Sequence, residues 1–307
     1  MDFSSLEIFC TVAAEQSITR AAHHLARVQS NVTTRVKQLE AELRVELFSR
    51  EGRRMTLTPN GRRMLVYAQR LLALADEARE AMSPDQPAGV LRIGALESTA
   101  ATRLPSLLSV YHSRWPQVEL EISIGTSCSL IDDVLMSRLD CAFVAGADFG
   151  RVPGVGGGFA ERGGLSATRA CTEDMLLVLP PNHPPVKRPE DIQIRTLAAF
   201  AKGCSYRSVL ERWLGIRDAE QESGWKLMEL ASYHTMLVCV AAGSCFALCP
   251  KSVLELQRAP LHVRTQQIAT VDTYLIARSA YSSGAYEALL RAVDTRIRVT
   301  RENGSAR

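Results

Sequence analysis

Two helices joined by a tight turn are predicted directly after Ser17, and they commit this part of the chain to a compact helical unit. Ser17 is a residue type that favours a helix N-cap, and the segment 18–25 carries Ile, Ala, Ala and Leu at helical spacing. A second helical segment covers 28–39, where the apolar residues recur every three or four positions: Val28, Val32, Val36 and Leu39. The two apolar faces can therefore pack on each other.

The opposite face of the second segment is polar. Its amide, hydroxyl and cationic side chains belong to Gln29, Ser30, Asn31, Thr33, Thr34, Arg35 and Lys37. Amides and hydroxyls hydrogen-bond to base edges, while cations meet phosphates. Ser, Asn and Thr also lower helix propensity, so a purely structural surface helix more often has Glu, Lys or Ala. The face suits the major groove of DNA; the alternative is the solvated surface of an ordinary helical pair.

A hairpin with basic residues is predicted directly after this pair. Residues 47–58 form two short strands around a turn that contains Gly52, and Arg50, Arg53 and Arg54 lie near its tip. Positions 20 to 70 hold 11 Lys and Arg against 4 Asp and Glu, whereas positions 71 to 307 hold 25 against 26. The basic charge of the chain is therefore concentrated at its N-terminal end.

In these residues the chain resembles the LysR-type family of bacterial transcription regulators. The N-terminal pattern of that family is matched by Phe9, Val12, Ala13, Ser17, Thr19, Ala21, Ala22, Leu25, Gln29, Ser30, Val32, Leu39, Glu40, Leu43, Leu47, Phe48, Arg50, Arg53, Leu57, Thr58 and Gly61. Asn31 replaces the usual small Ala, Thr33 replaces Ser, and Thr34-Arg35 replaces the usual Arg-Gln. These departures leave the motif intact, but no operator sequence can be carried over from the family.

A long amphipathic helix is predicted over 59–82, with Pro59 in its first turn. Its apolar stripe consists of Met64, Leu65, Ala68, Leu71, Leu72, Ala75 and Ala78. A lone helix cannot bury this stripe on itself, so we interpret it as a dimer seam; packing on its own domain is the alternative. The resemblance implies the same linker helix, after an all-α winged helix-turn-helix domain at 1–58. Residues 83–89 are a predicted hinge.

Short apolar runs alternate with helical segments beyond the hinge. Strands are expected at 90–95, 118–124, 141–145, 175–179, 245–250 and 274–277, and helices at 103–114, 129–138, 207–214, 234–242 and 286–296. This alternation predicts a parallel sheet with crossover helices. The resemblance implies an α/β periplasmic-binding-protein-like effector domain of two Rossmann-like subdomains. Subdomain I would comprise 90–163 and 268–304 and subdomain II 164–267, with crossings near Glu161 to Gly164 and near Gln266 to Ala269.

Small polar residues stand at three predicted helix starts: after the first strand, after the second strand and in the second subdomain. They are Ser98 and Thr99, Thr126 and Ser127, and Cys204 and Ser205. Ligands collect at the carboxyl ends of parallel strands, where the N–H groups of helix N-termini point outward. We therefore expect a site for a small anionic, carboxylate-bearing effector. Ordinary helix capping by each residue is the alternative.

Cys204 supports a second hypothesis, redox sensing. It stands where the resemblance places the reactive cysteine of the family's peroxide sensor, and Lys202 and Arg207 are close in sequence. No further cysteine follows within the next dozen positions to resolve a sulfenic acid. An α/β enzyme is a distant alternative, because no catalytic triad, P-loop or metal-ligand spacing emerges. We predict no catalytic residues, no metal and no cofactor beyond the effector.

The expected partners follow from these features. The chain has no apolar run near the roughly 20 residues of a membrane span and no signal-peptide pattern, so we expect a cytoplasmic protein without a membrane partner. The resemblance implies two linker helices that pair, two recognition helices on a roughly palindromic double-stranded operator, and further pairing into a homotetramer, a dimer of dimers. It also implies that the effector changes DNA bending and thereby the access of RNA polymerase.

Overall fold

The computed structural model describes residues 1–51, 54–80, 82, 87–146, 151, 152, 155, 156, 164–216 and 224–304. The chain divides into an N-terminal unit that reaches Pro84 and a larger C-terminal unit formed by most of the remaining residues. Among the described residues, no helix combines the length and the apolar character that crossing a membrane requires.

The N-terminal unit consists of helices and one hairpin. In chain order these are α1 (Phe3–Glu15), α2 (Ile18–His24), α3 (Gln29–Leu43), β1 (Phe48–Glu51), β2 (Arg54–Leu57) and α4 (Pro59–Glu80). The predicted N-cap of α2 is confirmed, because the Ser17 side chain accepts a hydrogen bond from the backbone N–H of Arg20 at 3.3 Å. β1 and β2 pair antiparallel, with Ser49 opposite Thr56.

Aromatic and aliphatic side chains from α1, α3 and the hairpin form the core of this unit. Phe9 of α1 lies against Phe48 of β1, with ring centroids 5.3 Å apart. Val32 and Val36 are buried from the α3 side, as their spacing predicts. Val28 is 72% exposed, so its predicted packing is wrong. It caps α3 in an extended conformation, and its side chain therefore leaves the face that the other two valines share.

The apolar residues of α4 divide between two faces, and of the large exposed ones only Leu71 belongs to the predicted stripe. Ala68 is fully buried, and Met64, Leu65 and Leu72 pack against the core of the N-terminal unit. Tyr67, Leu71 and Leu74 are 55%, 36% and 60% exposed. Part of the stripe therefore packs on its own domain, the alternative that the sequence left open, and an apolar strip at helical spacing is left facing outward.

The C-terminal unit alternates strands and helices. Its first segment contains β3 (Gly89–Ala95), α5 (Glu97–Thr102), α6 (Leu104–Arg114), β4 (Val118–Ile124), α7 (Ser127–Leu135), β5 (Cys141–Ala145), β6 (Arg151–Val152) and β7 (Val155–Gly156). Its second segment contains β8 (Leu165–Leu179), β9 (Thr196–Ala199), α8 (Ser205–Trp213), β10 (Lys226–Glu229), α9 (Tyr233–Ala241), β11 (Phe246–Pro250), α10 (Lys251–Leu254), β12 (Arg264–Arg278) and α11 (Gly284–Gly304).

Eight of these strands form one mixed sheet in the order β10-β9-β11-β8-β12-β5-β3-β4. β3, β4 and β5 are parallel neighbours in a first half, and β9, β10 and β11 are parallel neighbours in a second half. β8 and β12 run antiparallel to each other and to the strands beside them. The predicted parallel sheet therefore exists within each half. The antiparallel pair arises because one strand carries the chain out of the first half and the other returns it.

The two long strands belong to both halves. The C-terminal end of β8 pairs with β11, whereas its N-terminal end lies opposite the end of β12 that also pairs with β5. Besides pairing with each other, β8 thus pairs with a strand of the second half and β12 pairs with a strand of the first half. The crossing expected from the sequence near Glu161 to Gly164 lies before β8, and residues 161–163 are outside the described residues. The subdomain boundaries stay predictions.

Candidate functional sites

The polar side of α3 faces outward. Gln29, Ser30, Asn31, Thr34 and Lys37 are all exposed, whereas Val32 and Val36 are buried behind them. This separation follows from the helical period, because residues three and four positions apart share a face. The exposed set combines two amides and two hydroxyls with one cation, the groups that read base edges and meet phosphates.

Two of the predicted DNA-binding residues have other contacts. The hydroxyl of Thr33 donates to the backbone carbonyl of Gln29 at 2.9 Å, one turn earlier. Nη1 of Arg35 lies 3.1 Å from Oδ2 of Asp2, the residue that caps α1. A hydrogen bond from the N–H of Ser5 is the largest cause that lowers the pKa of Asp2, and this carboxylate holds the guanidinium. The side chains of Thr33 and Arg35 therefore make contacts within the protein in this structure.

The N-terminus of α3 is open to an anion. Val28 in the N-cap position provides no side-chain hydrogen bond, so the first N–H groups of this 15-residue helix have no side-chain acceptor there. Free N–H groups at a helix start, reinforced by the helix dipole, bind phosphate oxygens. This end of α3 is therefore a candidate phosphate-binding position that side-chain patterns alone did not identify.

The hairpin is held against α3 by a carboxylate. Oε1 of Glu40 accepts hydrogen bonds from the N–H groups of Leu47 at 2.8 Å and Phe48 at 3.1 Å. Arg54 begins β2 and is exposed. Arg50 lies in β1, but its side chain is outside the described residues, as is the whole of Arg53. These two hydrogen bonds hold the start of the hairpin in a fixed position relative to α3.

A cavity of about 310 Å³ lies at the carboxyl ends of β3, β4, β9 and β10. Its lining comprises Leu96, Glu97, Ser98, Ile124, Gly125, Thr126, Phe200, Ala201, Cys204, Tyr206, Glu229, Leu230, Ala231 and Tyr233. The volume falls at the lower end of the about 300–1,000 Å³ that small-molecule sites occupy. Strand ends from both halves of the sheet thus enclose a space suited to a small molecule.

Three of the six predicted effector contacts line this cavity, namely Ser98, Thr126 and Cys204. Thr99, Ser127 and Ser205 do not belong to the lining. Ser127 is fully buried, and its hydroxyl accepts from the N–H of Ala145 in β5 at 3.3 Å. Thr126 exchanges hydrogen bonds with Ser129 at the start of α7, so capping accounts for part of its polarity.

Two family models match the chain. Residues 3–62 match the family model described as a bacterial regulatory helix-turn-helix protein of the lysR family. Residues 84–298 match the model described as the LysR substrate binding domain. The chain belongs to the LysR family of transcription regulators.

Similar proteins cover almost all of this LysR-type regulator. It is 36% identical over 286 residues to the HTH-type transcriptional regulator GltR of Bacillus subtilis, covering 91% of this chain and 90% of that relative. It is 33% identical over 300 residues to the HTH-type transcriptional regulator CzcR of Bacillus thuringiensis, covering 96% and 97%. Both relatives are transcriptional regulators, in agreement with the family models.

Solved structures show the same fold. A full-length OxyR variant from Pseudomonas aeruginosa superposes with a TM-score of 0.71 at 23% identity, covering 95% of this chain and 94% of that one. CbnR in complex with its target DNA superposes with a TM-score of 0.63 at 20% identity, covering 96% and 99%. At these identities the likeness establishes the architecture, including the periplasmic-binding-protein-like C-terminal unit.

Several lining residues of the regulator were missed in the sequence. Glu97 and Glu229 bring carboxylates, Phe200 and Tyr233 bring aromatic rings, and Tyr206 brings a buried hydroxyl. Glu97 directly precedes the predicted Ser98, so its position in the sequence was a usable signal. Phe200 directly follows β9 and Glu229 ends β10, two short strands that the hydrophobic pattern did not predict. The sequence therefore did not indicate where these two residues lie.

Cys204 lacks the surroundings of a reactive thiol. The residue is 6% exposed, and burial raises the pKa of its thiol, while hydrogen bonds from backbone N–H groups and the charge of Arg207 oppose this only in part. A second cysteine is nearby in space: the N–H of Cys128 donates to the carbonyl of Gly203 at 3.3 Å. The order of residues along the chain could not reveal this neighbour, because it precedes Cys204 on another helix.

Proposed function

We propose that this regulator reads double-stranded operator DNA with the exposed face of α3, while the N-terminus of α3 and the basic hairpin meet phosphates. The carrying observation is the arrangement of α3, whose amide and hydroxyl side chains are exposed directly opposite buried valines. Gln29, Ser30, Asn31 and Thr34 are the proposed base-reading residues. Lys37 and Arg54 are the proposed phosphate contacts, together with Arg50 and Arg53.

The exposed strip on α4 supports self-association. Tyr67, Leu71 and Leu74 are spaced so that they lie along one face of the helix, and a second copy of α4 would cover them. Pairing of two such helices gives a twofold dimer and a roughly palindromic operator. We further propose a dimer of dimers that bends DNA and contacts RNA polymerase, as the family resemblance implies.

A small-molecule effector in the cavity would regulate this complex. Because residues from both halves of the sheet line the cavity, a ligand there can favour one arrangement of these halves over another. The proposed contacts are Ser98, Thr126 and Cys204. Thr99, Ser127 and Ser205 lie outside the lining, and the carboxylate-bearing effector expected from the sequence stays a prediction. The redox alternative has less support, because burial keeps the Cys204 thiol protonated.

The test is fluorescence anisotropy with two duplexes of equal length, one from beside the regulator's own gene and one of random sequence. Gln29→Ala should remove about 1–3 kcal/mol of discrimination between them, because it deletes a base-reading amide. Arg54→Ala should weaken binding to both duplexes and reduce the slope of the salt dependence by about 1, because it deletes a phosphate contact.

Thr33→Val is the matched control on α3, since its hydroxyl already bonds to a carbonyl within the helix. Arg258→Ala is the control for charge, since Arg258 is exposed on the C-terminal unit. Equal losses on both duplexes for Gln29→Ala would contradict base reading by this residue. Absence of any preference for the operator duplex in the unaltered protein would overturn the proposed function.

A further inference from the structure

The charged side chains around the effector cavity are acidic. Glu97 and Glu229 line it, and its described lining contains no Lys, Arg or His. Arg207 lies nearby but is occupied: it donates to Oε1 of Glu211 at 2.7 Å, to the carbonyl of Phe200 at 3.1 Å and to Oε2 of Glu229 at 3.3 Å. An anionic ligand would therefore meet carboxylates with no free cation among the described lining residues to offset them.

Glu97 is the carboxylate that lacks sufficient partners. A backbone hydrogen bond from Tyr233 lowers its pKa, but the larger effect is burial, which raises the pKa of the carboxyl group. Its Oε2 is shielded from solvent and has no hydrogen-bond partner among the described residues. Rotation about the terminal bond of Glu is only weakly restricted, so this oxygen can turn toward a ligand in the cavity. A ligand that donates a hydrogen bond would remove the cost of this unsatisfied acceptor.

Two buried hydroxyls in the same lining are also unsatisfied. The Oγ of Ser98 and the OH of Tyr206 make no hydrogen bond of good geometry within the described residues, although they lie close enough to interact. These residues are 2% and 3% exposed. Hydroxyl oxygens accept hydrogen bonds, and an ammonium group has three donors and no acceptor. Because the hydroxyls can also donate, the Glu97 carboxylate is the group that gives the cavity a preference for a ligand with donors.

Aromatic side chains form part of the apolar wall of the cavity. Phe200 and Tyr233 lie edge to face, with ring centroids 4.8 Å apart, and both line the cavity. Aromatic faces attract cations and also bury apolar groups. Together with Leu96, Ile124 and Leu230 they form a wall suited to a hydrocarbon body.

We propose that the effector is an amine with an apolar body, whose ammonium group binds the Glu97 carboxylate and whose body packs against Phe200 and Tyr233. This inference rests on the proposed function, since it names the chemical class that the effector site accepts. It replaces the carboxylate-bearing effector that the sequence led us to expect with an effector of opposite charge.

Three probes of similar shape separate the possibilities: 2-phenylethylamine, 3-phenylpropionate and 2-phenylethanol. Binding to the full-length protein is measured by calorimetry in mildly alkaline buffer, which favours the ionised carboxylate because burial raises the pKa of Glu97. The amine should bind at least about 10-fold more tightly than the acid, because a charge-assisted hydrogen bond to a buried carboxylate forms only with the amine. The alcohol should lie between them.

Glu97→Gln keeps the shape of the side chain and removes its charge. It should weaken binding of the amine about 10- to 100-fold, while binding of the alcohol is nearly unchanged. Glu255→Gln is the matched control, because Glu255 is exposed and lies outside the cavity lining. Thermal melting of each variant without a probe establishes that the fold is retained.

The outcomes separate the inference from the function on which it rests. Tighter binding of the acid, equal loss of amine and alcohol in Glu97→Gln, or failure of the amine to bind would each overturn the amine inference. If the acid instead binds and alters operator binding, the regulator function stands without the amine. If the amine binds through Glu97 but leaves operator binding unchanged, the inference stands and the proposed effector control falls.

Discussion

The proposed DNA-reading helix α3 and the proposed effector cavity are built in opposite ways. α3 presents its polar residues from one unbroken stretch, Gln29 to Lys37, supported from behind by valines of the same helix. The cavity gathers its lining from residues between Leu96 and Tyr233, at the ends of four strands. The first site is a local property of the chain, whereas the second exists only when the whole sheet is formed. Damage to the sheet should therefore abolish effector binding before it affects the shape of α3.

The two regions also differ in charge. Positions 20 to 70 carry 11 basic against 4 acidic residues, which suits a polyanion. The described cavity lining carries two carboxylates and no cation. One chain thus holds a basic segment near its N-terminus and a cavity whose described charged lining is acidic.

The largest expected effect comes from Glu173→Ala in β8. Its carboxylate is 4% exposed and accepts from Nε of Arg103 and from Oγ of Ser252, both at 2.7 Å. Loss of this buried acceptor should lower the free energy of unfolding of the C-terminal unit by about 2–4 kcal/mol. The chain's three Trp all lie after the hinge, so urea unfolding followed by Trp fluorescence reports this unit.

Glu255→Ala provides the comparison for Glu173→Ala, because Glu255 is 65% exposed in its side chain and pairs with Lys251 only at 3.9 Å. Surface pairs contribute about 0–1 kcal/mol, so its unfolding midpoint should hardly move. Glu173→Ala should still bind a random-sequence duplex at urea concentrations at which Trp fluorescence already reports unfolding of its C-terminal unit. Simultaneous loss of both signals would show that the units do not unfold separately.

Gly61→Ala should have the next largest effect, on the N-terminal unit. A Cβ at this position would lie 2.0 Å from the backbone carbonyl oxygen of Leu47, and a backbone atom cannot move aside as a flexible side chain does. We expect a loss of about 1–3 kcal/mol from this overpacking. Hydrogen exchange of α1 and α3 should quicken, while the Trp transition stays unchanged. Asn60→Ala, at the exposed neighbouring position, should leave both unaltered.

Periodicity explains why α3 was predictable and the cavity only in part. Val32 and Val36 are one turn apart, so their common face is fixed by the helix itself. Along α4, by contrast, Met64 and Leu71 are equally apolar, and only the position of α1 decides that the first packs inward while the second is exposed. A cavity at the carboxyl ends of the strands was predictable. The contribution of β10 was not, because Lys226–Glu229 is short and mostly exposed.

A smaller effect on stability should distinguish Ser127 from Ser98, two serines that the sequence predicted alike as effector contacts. Ser127→Ala should cost about 1 kcal/mol of stability, because it removes the acceptor for the N–H of Ala145. Ser98→Ala should be neutral or slightly stabilising, because the buried Oγ of Ser98 has no described hydrogen-bond partner. Urea midpoints from Trp fluorescence compare them directly. A larger loss for Ser98→Ala would mean that its hydroxyl has a structural hydrogen bond instead of being held for a ligand.

The smallest expected effect concerns Cys204. Burial raises the pKa of its thiol, so the thiolate, which is the reactive form, is scarce at neutral pH and increases only as the pH rises toward that raised pKa. A mild peroxide treatment should therefore leave operator binding and the mass of the peptide containing Cys204 unchanged. Unfolding the protein in urea removes the burial, and the same peptide should then be modified. Rapid oxidation of Cys204 in the folded protein would support redox sensing if peroxide also changed DNA affinity and both effects were lost in Cys204→Ser. Cys128 would then be the first resolving cysteine to examine, because its N–H donates to the carbonyl of the adjacent Gly203.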